Sequence, residues 1–235
     1  MRILAIEASS LVASVAILTD DIITAEYTVN HKVTHSQTLL PMIDEVCRMT
    51  ETEPESFDAI AVSGGPGSFT GLRIGSATAK GLGQALGVPL IHVPTLDAMA
   101  YNMYGTDMLI CPVMDARRSQ VYTGIYSFES GVLKIHRQSS AMAIEELMEE
   151  LDGICRRTVF IGDGIPVFRE FIDERARFEH EFAPAGINRQ RASSVALLGA
   201  EYFAAGKTVS AAEHLPDYLR VSQAERERAE RLAHE

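Results

Sequence analysis

The chain has 235 residues, 46% hydrophobic and 23% charged, enough for one large domain or two small ones around a sizeable core. Lys and Arg number 21 against 32 Asp and Glu, a net charge of −11 that excludes a broad basic surface able to hold a polyanion unaided, so any nucleic-acid role calls for a basic partner. The apolar run at residues 3–6 is too short for a signal peptide, no window approaches a ~20-residue membrane span, and the three cysteines (Cys47, Cys111 and Cys155) form no CxxC pair; a cytoplasmic protein with reduced thiols and no structural zinc is expected.

Residues 3–7, 13–18 and 22–29 read as three short strands in a meander, turned by Thr19, Asp20 and Asp21. In residues 36–49, Leu39, Leu40, Ile43, Val46 and Cys47 recur at helical spacing behind a Thr34 or Ser36 cap, with Pro41 predicted to bend the helix. A buried strand follows at 58–63, then a glycine-rich turn, a helix over 71–86 and a strand at 89–93. The second half repeats this order: strands at 109–115, 121–128 and 132–138, a helix at 142–151, a strand at 158–162 and a helix at 165–172. This pattern predicts an α/β protein with a duplicated βββαβα unit and two stacked lobes, 1–104 and 105–213. A helix is predicted at 193–205 and an irregular connection containing Pro216 at 213–222. A charged helix is predicted at 223–235, carrying the i,i+4 pairs Arg226 with Glu230 and Glu227 with Arg231; residues 214–235 stand apart from the lobes.

The sharpest local signal is Gly64-Gly65-Pro66-Gly67-Ser68-Phe69-Thr70-Gly71-Leu72-Arg73, between a buried strand and a helix. Glycines at such a place let backbone N–H groups approach an anion, yet the run lacks the Gly-Lys-Ser/Thr of a P-loop, and Thr70 stands where a dinucleotide fingerprint has its third glycine. Anion binding and a plain tight turn both remain open. The helix that follows carries Gly75, Gly81 and Gly83, each costing about 0.8 to 1 kcal/mol relative to Ala. Gly75, Ala79 and Gly83 form an i, i+4, i+8 stripe that admits a close neighbour, either the chain's own sheet or another molecule.

His31 and His35 have two-histidine metal spacing but precede the helix and lack a third ligand. Glu7 and Asp115 each end the first strand of a repeat, where a two-lobed nucleotide enzyme would place its metal-bound carboxylates. The hairpin turns after them contain no glycine, Arg117 and Arg118 suit a surface ion pair or an anion clamp, and Asp163 suits a site loop or a turn. No nucleophile-base signature is present.

Six blocks carry a family resemblance: ILAIEASSLVASVAIL at 3–18, HSQTLLPMI at 35–43, GGPGSFTGLRIGSATAKGL at 64–82, MDARRSQVY at 114–122, FIGDG at 160–164 and PDYLRVSQAE at 216–225. In this order they resemble the TsaB family, also called YeaZ. The resemblance implies a two-lobed actin-like ATPase (ribonuclease H-like) fold. It also implies a part in making threonylcarbamoyladenosine in tRNAs that read codons beginning with A, as a non-catalytic partner of the transferase TsaD, with the small ATPase TsaE joining through the complex. Contact with tRNA would come only via that complex, and a homodimer would form when the partner is absent.

The catalytic relatives hold a metal with a HxxxH motif where this chain has Thr95-Leu96-Asp97-Ala98-Met99, so both ligand positions differ, and neither Thr nor Met replaces imidazole at a centre that polarises substrate. The resemblance therefore implies no catalytic residue, no metal and no required cofactor. Weak ATP or ADP binding at Glu7, Gly65, Gly67, Ser68 and Asp115 is left open, and Glu7 stands where the family commonly has Asp. The implied partner interface comprises Leu39, Leu40, Ile43, Val46, Ile74, Gly75, Thr78, Ala79, Leu82 and Gly83. Rival readings are an ATP-dependent small-molecule kinase and a glycoprotease-like metallopeptidase.

Overall fold

The computed structural model describes residues 1–31 and 34–219, and in it alternating apolar residues build two five-stranded sheets. The first sheet contains β1 (Arg2–Glu7), β2 (Val12–Thr19), β3 (Ile22–Asn30), β4 (Ala59–Gly65) and β5 (Leu90–Pro94) in the order β3-β2-β1-β4-β5. Strand β1 lies antiparallel to β2, with Ile3 opposite Leu18, and parallel to β4, with Ile3 opposite Ala59. The second sheet contains β6 (Leu109–Arg117), β7 (Gln120–Glu129), β8 (Val132–Ala143), β9 (Thr158–Ile161) and β10 (His180–Phe182) in the order β10-β9-β6-β7-β8. Strands β6 to β9 thus repeat the pairing of β1 to β4.

Period-two side-chain alternation assigns each sheet two apolar faces. On the first sheet Leu4, Ile6, Val15 and Ile17 meet helices α1 (His35–Met49) and α2 (Phe69–Leu86), while Ile3, Ala5, Ala16 and Leu18 point the other way. On the second, Leu109, Cys111 and Val113 meet α4 (Ile144–Ile154) and α5 (Ile165–Arg175). Between the sheets lies α3 (Thr95–Tyr101). Helix α6 (Ala192–Ala204) follows the second sheet in the chain but covers the inner face of the first through Ala192, Val195, Ala196 and Leu198. The last part of the predicted 105–213 lobe therefore folds onto the other lobe, because α6 is apolar enough to need burial against a sheet face. This is the two-lobed actin-like α/β fold with a duplicated unit.

Helix α1 includes Pro41, which lies on its exposed side. Other details depart from the expected elements: strand β6 continues beyond Asp115 to Arg117. Strand β8 continues to Ala143, since pairing with Gln120–Thr123 of β7 sets its end. Helix α3 and strand β10 were not among the predicted elements. Residues 213–219 are irregular as predicted, whereas the charged helix expected at 223–235, with its Arg226–Glu230 and Glu227–Arg231 pairs, lies outside the described residues. No described helix is long and apolar enough to cross a membrane.

Candidate functional site: the glycine loop and the outer helix pair

The glycine loop leaves β4, turns at a cis Gly65–Pro66 peptide and enters α2 at Ser68, whose Oγ accepts from Gly71 N at 3.3 Å as an N-cap. It presses against the hairpin that follows β1. Ser68 N donates to Ser9 O at 2.6 Å, and a Cβ at Gly67 or Gly71 would lie 2.3 Å from Ser9 O or 2.1 Å from Ala8 O. Gly65 N donates to Thr95 Oγ1 at 3.2 Å. The N–H groups of Gly65, Ser68 and Gly71 are therefore already paired within the chain.

This closure buries Glu7, which is 1% exposed, with Oε1 accepting from Ser9 N at 2.6 Å. Loss of water raises its carboxyl to about 7, opposed by the Ser9 and Ser63 hydrogen bonds and reinforced by the charge of Asp163. Burial also raises Asp163, whose Oδ1 accepts from Gln190 Nε2 at 3.4 Å. Asp115, the counterpart of Glu7, remains half-buried and pairs with Arg117 at 3.1 Å. The tip beyond it holds Arg117, Arg118 and Ser119 at φ 67°, 56° and 56°, a left-handed run normally reached by glycine.

Thr95 and Met99, at the two positions where the catalytic relatives carry histidine, are both buried. Thr95 binds the glycine loop, and Met99 joins the apolar cluster on the second sheet. His35 is buried with Nε2 2.8 Å from Ser10 O, while His31 is exposed. No group of three His, Cys, Asp or Glu is placed to hold a metal ion among the described residues.

Helices α1 and α2 lie side by side on the outside of the first sheet. Leu39, Ile43 and Val46 point into the core. So does the stripe Gly75, Ala79 and Gly83: a Cβ on Gly75 would sit 3.2 Å from Ala8 Cβ, and one on Gly83 2.8 Å from Leu90 Cδ2. That stripe admits the chain's own sheet, which resolves the two readings of its spacing and removes these three residues from any outward seam. Facing outward instead are Leu40, 54% exposed, and a second small stripe, Ala77, Gly81 and Ala85, flanked by the half-buried Ile74, Thr78 and Leu82. A Cβ on Gly81 would meet nothing within 4 Å.

The C-terminal strap borders this face. Val209 pairs with Leu90, Lys80 Nζ donates to the carbonyls of Ala212 and His214 at 3.2 and 3.0 Å, and Asp217 N donates to Gly64 O at 2.7 Å. His214 fills the space between Ser76, 3.0 Å away at Nδ1, and His92; burial lowers its pKa to about 4, helped by the charges of His92 and Lys80. These contacts carry no cue in local sequence, since Ser76 and His214 are 138 residues apart.

Comparison with known proteins agrees with this architecture. Residues 24–228 match the family model described as TsaD, tRNA N6-adenosine threonylcarbamoyltransferase. The tRNA threonylcarbamoyladenosine biosynthesis protein TsaB of Bacillus subtilis is 33% identical over 225 residues, 96% of each chain. The chain belongs to the TsaB family. The Escherichia coli TsaB is 30% identical over 94% of this chain and 95% of its own length. The solved structure of YeaZ from Pseudomonas aeruginosa superposes with a TM-score of 0.80 at 27% identity, covering 93% of this chain and 99% of that one. Set within the TsaB family, the chain combines a closed inter-lobe corner at Glu7 with an outward apolar and small-residue face on α1 and α2.

Proposed function

We propose that this chain serves tRNA threonylcarbamoyladenosine biosynthesis as a non-catalytic subunit. It binds TsaD through the outer faces of α1 and α2, works with TsaE through that complex, meets tRNA only there, and self-associates when alone. The observation that carries this reading is the outward face itself. Leu40 on α1 is exposed, and Ala77, Gly81 and Ala85 on the neighbouring α2 form an exposed stripe with little side-chain bulk, on which a partner helix can lie close. Gly81 gives up helix propensity with no intramolecular contact in return.

The non-catalytic part is supported by the commitments of the cleft residues. Thr95 and Met99 are spent on loop and core contacts, and the donors at Gly65, Ser68 and Gly71 are paired internally, which disfavours tight nucleotide turnover and metal-dependent hydrolysis. Residues 1–104 and 105–191 would form the two lobes, with α6 and the strap joining the first.

The test uses Leu40→Arg and Gly81→Arg. Each should retain a wild-type circular dichroism spectrum, reduce capture of TsaD at least tenfold, and lower threonylcarbamoyladenosine formation in a reconstitution with TsaD and TsaE to the level seen without this chain. Undiminished capture by both variants would overturn the interface. Modification by this chain in the absence of TsaD would overturn the non-catalytic role.

A further inference from the structure

Helix α3 is where the two lobes meet, and its grip extends in every direction. All seven residues are buried: Ala98 and Tyr101 belong to the apolar cluster on the inner face of the first sheet, and Leu96, Met99 and Ala100 to that of the second. Thr95 accepts from the glycine loop, Asp97 Oδ1 accepts from Tyr126 OH of β7 at 2.8 Å, and the Tyr101 hydroxyl donates to Glu201 of α6. The Tyr126 ring reaches Asp97 by folding over Gly124, where a Cβ would lie 2.6 Å from its hydroxyl oxygen.

Within the described residues the chain crosses between lobes twice, at residues 95–108 and 183–191, so any rotation of one lobe against the other must deform both crossings. Asn102 joins them. Its Nδ2 donates to Ile187 O at 2.8 Å and Arg189 O at 2.6 Å, and its Oδ1 accepts from Ser194 Oγ of α6 at 2.5 Å. The second crossing is fastened at both ends. Arg189 donates to Gly162 O at 3.0 Å and Gly162 N to Asn188 O at 3.2 Å, while Arg191 pairs with Glu26, which also accepts from Ser193 N at 3.0 Å. Opening such a network leaves several donors and acceptors unpaired together.

We propose that α3 and Asn102 form a rivet that fixes the angle between the lobes, so that the molecule works as a rigid body and not as a closing clamp. A flexible clamp leaves its crossings free to bend; here both are bonded to each other and to both sheets. The rivet is independent of the partner reading, because it concerns the isolated chain and survives failure of TsaD binding.

Spin labels on the native exposed Cys155 at the end of α4 and on Gln37→Cys in α1 report the inter-lobe distance by pulsed electron resonance, with labelled protein diluted into unlabelled protein. The expected result is one narrow distribution, unchanged by ATP with magnesium, that broadens in Asn102→Ala. Amide exchange across 183–191 should rise at least tenfold in that variant while the sheet amides stay protected. Should Asn102→Ala not fold, Ser194→Ala and Tyr126→Phe each remove one fastening and should broaden the distribution less. A broad or ATP-dependent distribution in the parent, or variants as narrow as the parent, would overturn the rivet.

Discussion

The two lobes begin alike and arrive at opposite chemistry. Each has a carboxylate at or near the end of its first strand, Glu7 closing β1 and Asp115 two residues before the end of β6, beside a glycine-bearing loop. In the first lobe that loop reaches beyond the carboxylate to Ala8 and Ser9, so Glu7 is sealed from water. In the second, the loop at Gly162 and Gly164 presses on Val113 O and, at Gly164, on Asp115 N, short of the hairpin tip, and Asp115 stays within reach of solvent and Arg117. The loop that covers the hairpin beyond its carboxylate encloses Glu7, and the loop that ends level with its carboxylate leaves Asp115 half-buried beside Arg117. A duplicated unit therefore preserves the position of a functional group without preserving its exposure to water.

The seal is the most sensitive point of that contrast. Gly67→Ala and Gly71→Ala drive a methyl group against backbone oxygens that cannot rotate away, and each should destabilise the fold by about 3 kcal/mol or more in urea unfolding. A loss below ~1 kcal/mol would mean that the hairpin yields easily and that Glu7 is not firmly enclosed.

Glu7 sharpens the comparison through pH. Its folded value of about 7 lies above the ordinary 4.5, so between those values the folded state holds a proton that the unfolded state has released. Stability from this group is thus present at low pH and lost as pH rises through about 7, amounting to about 3 kcal/mol across the window at 1.36 kcal/mol per unit. Glu7→Gln keeps the acceptor for Ser9 N and cannot ionise. Its stability relative to the parent should therefore increase by about 2 to 3 kcal/mol between pH 5 and pH 8, measured by unfolding at each pH. A pH-independent difference would show that Glu7 retains water.

Most of the frame was legible because it rests on local regularities. Alternation marked the strands of both meanders, the 3.6-residue period marked α1, α2, α4 and α5, and the repeated order exposed the two lobes. Helix α3 escaped because it has seven residues, no polar face and no side-chain cap, so burial on all sides erases the period that would reveal it. Asn102, His92 and His214 were likewise invisible as a group, since each acts on residues brought near only by tertiary packing. The proposed docking face was half legible. Spacing marked the small stripe Gly75, Ala79 and Gly83, which the sheet turns inward, and passed over Ala77, Gly81 and Ala85, which face outward.

Those two stripes on one helix make the finest comparison and the smallest effect. Gly83→Ala adds a methyl 2.8 Å from Leu90 Cδ2 and 3.2 Å from Val88 O, so the gain in helix propensity is offset by crowding and stability should change little or fall. Gly81→Ala adds a methyl in open space and should stabilise the isolated chain by about 0.8 to 1 kcal/mol, a rise of roughly 2 to 4 °C in Tm. On the proposed reading that methyl sits where TsaD comes closest, so the same variant should bind TsaD about tenfold more weakly by calorimetry. Stability and affinity moving in opposite directions is a signature that general damage to the fold does not produce. If Gly81→Ala is stabilised and binds unchanged, the outer stripe is a solvated surface and the contact with TsaD must be sought elsewhere.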